Sequence, residues 1–597
     1  MSYQYEALGE GCIRLMVLKA GTKDDGIAIE LEIVHLGMAP PFEAISYVWG
    51  HAPGHVEIAS PHGSFQATEN LAEALRVFRH LDQDRTLWAD AICISQNDPN
   101  ERAQQVKLMA QIFGYARQVL VWLGPFELAR QAFEAASSLA RDEQFEVDLI
   151  DRLRLGQPSA AISFLRQLAQ RPWFKRTWTM QEIGVAHEAT VFCEDSSIAW
   201  KDLSRAYHIL YEQIEVESPD FMRLPVIQLQ DIRALRAWKH DLGMSFLDLL
   251  SLASRRHATD ARDKVFALLS HPTALVDESN RSRELLIEPD YSKNVVDVYT
   301  DTAKALIRRD RNLDVLSYVE DLPYLRPENL ASWVPDWSRP SRHRNLLCSQ
   351  KDFAAAAGFP LEDEMPDDEP FDDQNSDSDE ELPCKASPHE TPHFKLSYFG
   401  VCELHARGIY LGSVRWQRNL ALWNTWPALP TMPMVYKELT SAWIGMFQDQ
   451  PHKSSKEELL SVFGRCLSGG MLHPAYNGPH GTQRHDRDFQ FLWQDIEARQ
   501  GQATDTGIRK GFLDSILYAC QGRSLFCTDT GLFGLGPTSM RTGDQVFVVE
   551  LGRMPLTLRA NEFAHHWSTF VGECYVDGMM HGEAARLRDP VRELALR

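Results

Sequence analysis

The chain has 597 residues, 44% hydrophobic and 24% charged, a soluble globular composition too long for a single hydrophobic core. Its formal net charge is −22, and twelve of those charges fall between Glu362 and Glu381, leaving an ordinary −10 elsewhere. That balance argues against a broad basic nucleic-acid surface, and no apolar run reaches the roughly 18 residues of a membrane span.

The N-terminus, MSYQYEALGEGCIRL, lacks the basic-then-apolar pattern of a secretory signal, so a cytoplasmic protein is expected. Ten scattered cysteines form no CxxC pair. Reduced thiols are expected, with neither a metal site nor a cofactor.

Ile13 to Leu18, Ile27 to Leu36, Phe42 to Val48 and Val56 to Ile58 read as strands. Thr68 opens a helix with Leu71, Leu75 and Phe78 on one face. Thr86 to Ile94 reads as a further strand. Asp98, Pro99 and Glu101 then carry the N-cap, first-turn proline and third-position acid of a helix start. With Arg102, they suggest cap chemistry and surface pairing. Val119 to Leu123 is an apolar strand ended by Gly124 and Pro125. Strand–helix–strand order at these lengths predicts an α/β domain whose sheet is mainly parallel and flanked by helices.

Residues 127–170 look helical with a polar interruption near 154–158. A helix over about 176–186 and a short strand from Thr190 to Cys193 follow. From Trp200 to about 315 the pattern is mainly helical; in ATDARDKVFALLS, Asp260 or Thr259 is placed to cap a run through Val265, Leu268 and Leu269. Residues 361–383 are acidic and of low complexity, and disorder is expected; Ser376 and Ser378 there suit an acid-directed kinase. Residues 522–584 alternate strand-like runs with glycines, where Gly531, Gly534, Gly536, Gly543 and Gly552 suit turns or bulges. The expected organisation is an α/β domain over 1–215, a helical region over 216–345, a linker over 361–383, and an α+β region over 384–597. The last would end in a small all-β barrel or sandwich near 520–584.

Signatures of P-loop, dinucleotide-binding, zinc-protease and α/β-hydrolase sites are missing. Three segments carry chemistry instead. In RTWTMQEIG, Trp178 and Glu182 are four apart, one turn from each other on a helix. A carboxylate beside an indole is partly desolvated, which raises its pKa and suits general acid–base work or stabilisation of a sugar cation. The competing reading pairs Glu182 with Arg176 or Arg171 to hold the helix. In FEAISYVWG, Ser46, Tyr47 and Trp49 end a strand, where open parallel sheets bind ligands; alternatively they are a packed strand end. In LWADAICISQ, Asp90 follows an apolar run, to orient a ligand hydroxyl or to cap a turn.

These segments, at 42–50, 87–124 and 171–186, closely resemble in order the three blocks of the fungal heterokaryon-incompatibility (HET) domain, whose members trigger cell death when unlike fungal cells fuse. ATDARDKVFALLS, PDYSKNVVDVYT, ASWVPDWS and GECYVDGMMHGEA resemble the regions that follow it in many HET proteins. The HET domain is in turn distantly similar to Toll/interleukin-receptor (TIR) domains. Their strand-end Ser-Tyr pair matches Ser46 and Tyr47, and their WxxxE motif matches Trp178 and Glu182. The resemblance implies Glu182 as catalytic carboxylate in cleavage of NAD as substrate, with Ser46, Tyr47, Trp49, Asp90 and Trp178 binding the ligand. The long stretch between Gly124 and Arg171 departs from a compact TIR unit. The alternative reading of the same resemblance is a signalling module that acts by self-association and recruitment of protein partners without chemistry.

Overall fold

The computed structural model describes residues 3–50, 55–154, 157, 159–216, 244–276, 284–320, 325–341, 346, 393–396, 401–420, 432–447, 455–470, 481–498, 515–516, 519–561, 567–587 and 590–597. The acidic stretch 361–383, with Ser376 and Ser378, lies outside the described residues. The chain divides into two units, Met1–Asn294 and Val295–Arg597. No helix among the described residues is long and apolar enough to cross a membrane.

The first unit is built on strands β1 (Cys12–Leu18), β2 (Ile29–His35), β3 (Glu43–Ser46), β6 (Arg85–Trp88), β7 (Val119–Trp122), β8 (Ala189–Cys193) and β9 (Ser196–Ala199). They form one sheet in the order β2-β1-β6-β3-β7-β8-β9. The sheet is mixed rather than mainly parallel. β6, β3, β7 and β8 run parallel in the centre, while β1, β2 and β9 are antiparallel additions. The reason is connection length: β1–β2 and β8–β9 are joined by loops too short for the crossover that a parallel pair needs. All four residues of β7 are buried, as a strand covered on both faces requires. β4 (His55–Ser60) and β5 (Gly63–Thr68) make a separate hairpin.

The helices are α1 (Glu69–Phe78), α2 (Asp90–Cys93), α3 (Pro99–Tyr115), α4 (Ala129–Arg141), α5 (Glu143–Arg154), α6 (Ala160–Ala169), α7 (Thr179–Gly184), α8 (Trp200–Val216), α9 (Phe246–Ser254) and α10 (Asp263–Phe266). Thr68 caps α1 by accepting from Leu71 N, and Asp98 caps α3 by accepting from Asn100 N and Glu101 N. Two expectations fail. The strand expected over Thr86 to Ile94 ends at Trp88, because Asp90 opens the single turn α2. Asp260 does not cap a long helix; its carboxylate is taken by Arg262, and only the turn α10 forms.

In the second unit, α11 (Val295–Asp310) precedes strands β10 (His393–Leu396) and β11 (Cys402–Asn419), then helices α12 (Met432–Phe447), α13 (Lys456–Ser468) and α14 (Gly481–Ala498). Strands β12 (Arg523–Thr528), β13 (Phe533–Pro537), β14 (Gln545–Val549), β15 (Leu556–Ala560), β16 (Ser568–Glu573), β17 (Tyr575–Val576) and β18 (Val591–Leu596) follow. β11 pairs with β14 and with β18, and β14-β15-β16-β18 completes the circuit, so these five strands close a small barrel. β11 bends at Gly412 (φ +141°), where a Cβ would lie 2.6 Å from Thr530 Oγ1, and its far end pairs with β12.

Gly531 and Gly543 occupy turns with positive φ, but Gly534 and Gly536 lie within β13 instead. Neighbours fill the space of their missing side chains: a Cβ on Gly534 would lie 2.2 Å from the Tyr575 carbonyl oxygen, a backbone atom that cannot swing away. Gly534→Ala is therefore expected to push β13 off β17 and to lower the stability of this unit by about 1–3 kcal/mol. A fall in urea midpoint without loss of secondary structure before the transition checks it; an unchanged midpoint would show that the strand ends adapt freely.

Candidate functional site

Parallel strands place their carboxyl ends on one edge, and the chain leaves β3 for β6 on one side and then reaches β7 on the other. Such a reversal of strand order is where open α/β sheets bind their ligands, and here it falls at the carboxyl end of β3. Ser46 ends β3, Tyr47 and Trp49 follow it, and Asp90 follows β6. Asn70, in the first turn of α1, ties the edge together: its side chain donates to Val48 O (2.6 Å) and accepts from the Trp122 indole (2.9 Å).

Block three reaches this edge through α7. Glu182 is 4% exposed and accepts from the Ser46 hydroxyl. The Ser46 hydroxyl in turn accepts from the Trp173 indole at 2.7 Å. The structure thus brings the first and third blocks into direct contact through Ser46 and Glu182. Neither Arg176 nor Arg171 forms an ion pair with Glu182. Arg176 donates to the Tyr47 carbonyl, and Arg171 donates twice to the Leu123 carbonyl (3.2 and 3.0 Å).

Burial pushes the Glu182 carboxyl up to about 7. The Arg176 charge, the Ser46 hydroxyl and Arg256 hold it lower than burial alone would, while Asp90 adds to the rise. A carboxyl group titrating near neutrality gives and takes a proton with comparable ease.

The second block meets the first. Asp90 accepts from the Trp49 indole at 2.9 Å through one oxygen and from Ala91 N at 2.8 Å through the other. Asp90 therefore anchors a neighbouring block, while Ala89 holds the cap position of α2 with no side-chain cap bond. Desolvation raises its pKa, opposed by Arg176 and by these hydrogen bonds. Tyr47 is buried, and its ionisation is pushed well up by burial and by the Asp90 carboxylate facing it. Trp49 remains 39% exposed, the open aromatic surface of the group.

Trp178 stands apart from these contacts. Its carbonyl accepts from Glu182 N at 3.1 Å, so the two are one turn apart as expected. Its side chain, however, hydrogen-bonds Asp263, which also accepts from the Tyr291 hydroxyl at 2.6 Å. Sequence reasoning missed Trp173, Asn70 and Arg256 as parts of this framework. Their signal is conformational and long-range, with no spacing pattern to betray it. Among the described residues, no group of three His, Cys, Asp or Glu side chains is arranged to hold a metal ion.

The sequence model of the family described as Heterokaryon incompatibility protein (HET) matches residues 42–182, which run from the residue before β3 to Glu182. The model described as Het-6 beta-barrel domain matches residues 497–593, which include most of the closed barrel but not β11. A protein of Neurospora crassa named Heterokaryon incompatibility protein 6, OR allele, is 25% identical over 643 residues, covering 92% of this chain and 90% of that protein. No solved structure matches the chain. The three blocks that meet at the carboxyl edge of the sheet lie almost wholly within the matched residues, and the chain carries a HET domain over 42–182.

Proposed function

We propose that this protein acts in heterokaryon incompatibility as a cell-death effector, and that its N-terminal unit hydrolyses NAD or a related nucleotide at Glu182. The name of the Neurospora relative and the distant likeness of HET to TIR domains support the first step. One observation carries the second: a buried glutamate titrating near neutrality at the carboxyl edge of the parallel strands of a mixed sheet, with Asp90, Tyr47 and an exposed indole close by.

In the proposed reaction the bond between nicotinamide and ribose C1′ breaks, and its electron pair leaves on the nicotinamide nitrogen. Anionic Glu182 faces the positive charge that develops on the ribose. Water then bonds to C1′, and its proton passes to Glu182 and on to solvent. The products are nicotinamide, ADP-ribose and a proton.

The test is NAD content in fungal cells expressing the full chain or its Glu182→Gln form at matched levels. The parent is expected to deplete NAD, and the variant to do so roughly 10²–10⁴-fold more slowly. Equal depletion by both would remove Glu182 from the chemistry.

A second reading has its own support. Ser46 and Glu182 are 1% and 4% exposed and satisfy each other, as a packing link between blocks would. The domain would then act by self-association and recruitment of partners. Cell death with normal NAD in both forms would establish that reading over the first.

A further inference from the structure

The helix that carries Glu182 is held from outside the span that the family model covers. The chain at 255–257 runs alongside 175–177, with His257 N donating to Lys175 O (2.5 Å) and Thr177 N donating to His257 O (3.0 Å). Arg256, 2% exposed, reaches across this pairing. Its Nε donates to the Arg176 carbonyl (2.9 Å) and its Nη2 to Thr179 Oγ1 (2.9 Å). Thr179 is the first residue of α7, and Glu182 sits three residues on.

Two further contacts fix the same helix. Asp263 takes the Trp178 side chain, and the Gln181 side chain donates to Ser270 Oγ at 2.7 Å. Lys264, itself buried, donates to the carbonyls of Ala253 (3.1 Å) and Arg256, pinning the main chain from which Arg256 projects. Lys175, Arg176, Thr177, Trp178, Thr179 and Gln181, in α7 and its lead-in, thus all answer to residues 256–270.

We propose that Arg256 is a positioning residue for Glu182, and that residues 253–270 are a working part of the site and not a spacer after the domain. The proposal rests on the reading of Glu182 as the catalytic carboxylate. The guanidinium sets where α7 begins, and therefore where the carboxylate points. It also places a fixed positive charge behind that helix. The groups that act on Glu182 are Arg176, Ser46, Asp90 and Arg256; around Arg256, the Lys264 and Lys175 charges act with it on His257, and Asp263 acts on Lys264.

Full-length Arg256→Gln and Arg256→Lys are compared with the parent in two measurements. The first is the rate of NAD loss. The second is the protonation midpoint of Glu182 from its infrared carboxyl band, identified by subtracting the spectrum of Glu182→Gln. Arg256→Gln is expected to raise the midpoint, because a charge that favours the carboxylate is gone. It is expected to slow NAD loss by about a hundredfold, the scale for a catalytic group displaced by an ångström. Arg256→Lys, which keeps the charge but not the two-armed grip, is expected to restore the midpoint more fully than the rate.

A folded Arg256→Gln protein with the parental midpoint and rate would overturn the proposal. If Arg256→Gln does not fold, Arg256→Lys decides: a parental rate overturns it, and a reduced rate at a near-parental midpoint supports it. A parent that leaves NAD untouched would defeat the reading of Glu182 as catalytic, while the midpoint would still show whether Arg256 controls that carboxyl group.

Discussion

Replacing Glu101 by alanine is expected to lower the stability of the N-terminal unit by about 3–5 kcal/mol, the range for leaving one partner of a buried ion pair unpaired. Arg14 is 1% exposed and Glu101 8%. The pair is two-pronged, with Nη1 to Oε1 at 2.6 Å and Nη2 to Oε2 at 3.0 Å. Arg14 spends its remaining bonds on the carbonyls of Cys93 (3.1 Å) and Glu6 (2.5 Å), neither of which carries a neutralising charge. Glu101 also accepts from Ser95 N at 2.6 Å. Alanine therefore strands a buried guanidinium and a backbone donor together, next to the loop that follows Asp90. Glu101→Gln keeps an acceptor for Ser95 and is expected to cost less. Arg14→Met with Glu101→Leu removes both charges and is expected to recover most of the loss. Urea unfolding followed by tryptophan fluorescence checks the series. A drop below about 1 kcal/mol for Glu101→Ala would mean that water reaches the pair and screens it.

Glu101 also shows what the sequence can and cannot disclose. Its place in the first turn of α3 was legible, because Asp98, Pro99 and Glu101 define a helix start within four residues. Its partner was not: surface pairing was expected, but Arg14 is 87 residues away and both groups are buried. The same division recurs along the chain. Thr68 as a cap, the apolar strand β7 and the short C-terminal strands follow from local pattern, whereas closure of those strands into a barrel through β11 and β18, outside 520–584, does not. The early end of β6 at Trp88 does not, since Ala-Asp-Ala-Ile-Cys is apolar enough to continue a strand until Asp90 turns it. The in-strand glycines 534 and 536 looked like turns because the atoms that exclude a side chain, Tyr575 O and Met540 Cε, come from elsewhere in the chain.

In the site, the three blocks suggested which residues belong together. They did not show that Ser46 bonds Glu182 directly while Trp178 turns to Asp263. Of the two readings of Glu182, an acid desolvated beside an indole or one paired with Arg176 or Arg171, the second needs an arginine partner. Arg176 instead spends a hydrogen bond on the Tyr47 carbonyl and acts on Glu182 only through its charge. Neutralising Arg176 is then expected to raise the pKa values of Glu182 and Asp90 together, a coupling that no spacing rule reveals.

Glu182→Gln is expected to make the N-terminal unit more stable at pH 8, and to give no stabilisation near pH 4.5. In the unfolded chain Glu182 ionises at its ordinary 4.5, and in the folded protein at about 7. Below 4.5 the group is neutral in both states and contributes no difference. Between 4.5 and 7 the folded state holds a proton that the unfolded state has released, so stability falls as pH rises. Above 7 the carboxylate is charged in both states, and burying it costs about 3 kcal/mol. Glutamine removes that cost while its carbonyl still accepts from Ser46. Its buried amide hydrogens need partners, which reduces the gain to about 1–3 kcal/mol. Asp90, also raised by burial, is present in both proteins, so its own pH dependence largely cancels in the comparison. The melting temperature of the N-terminal unit, followed from pH 4.5 to pH 8 for both forms, checks the result. A gap that opens with rising pH places a strained, ionisable carboxylate at this position, as a group held for function at a cost in stability would be. A gap that does not change with pH would mean that Glu182 ionises in the folded protein at its unfolded value, so that burial does not raise it and the site is not desolvated. Paired with the NAD measurement, the outcome also separates causes: a variant that is inactive yet more stable has lost chemistry, not its fold.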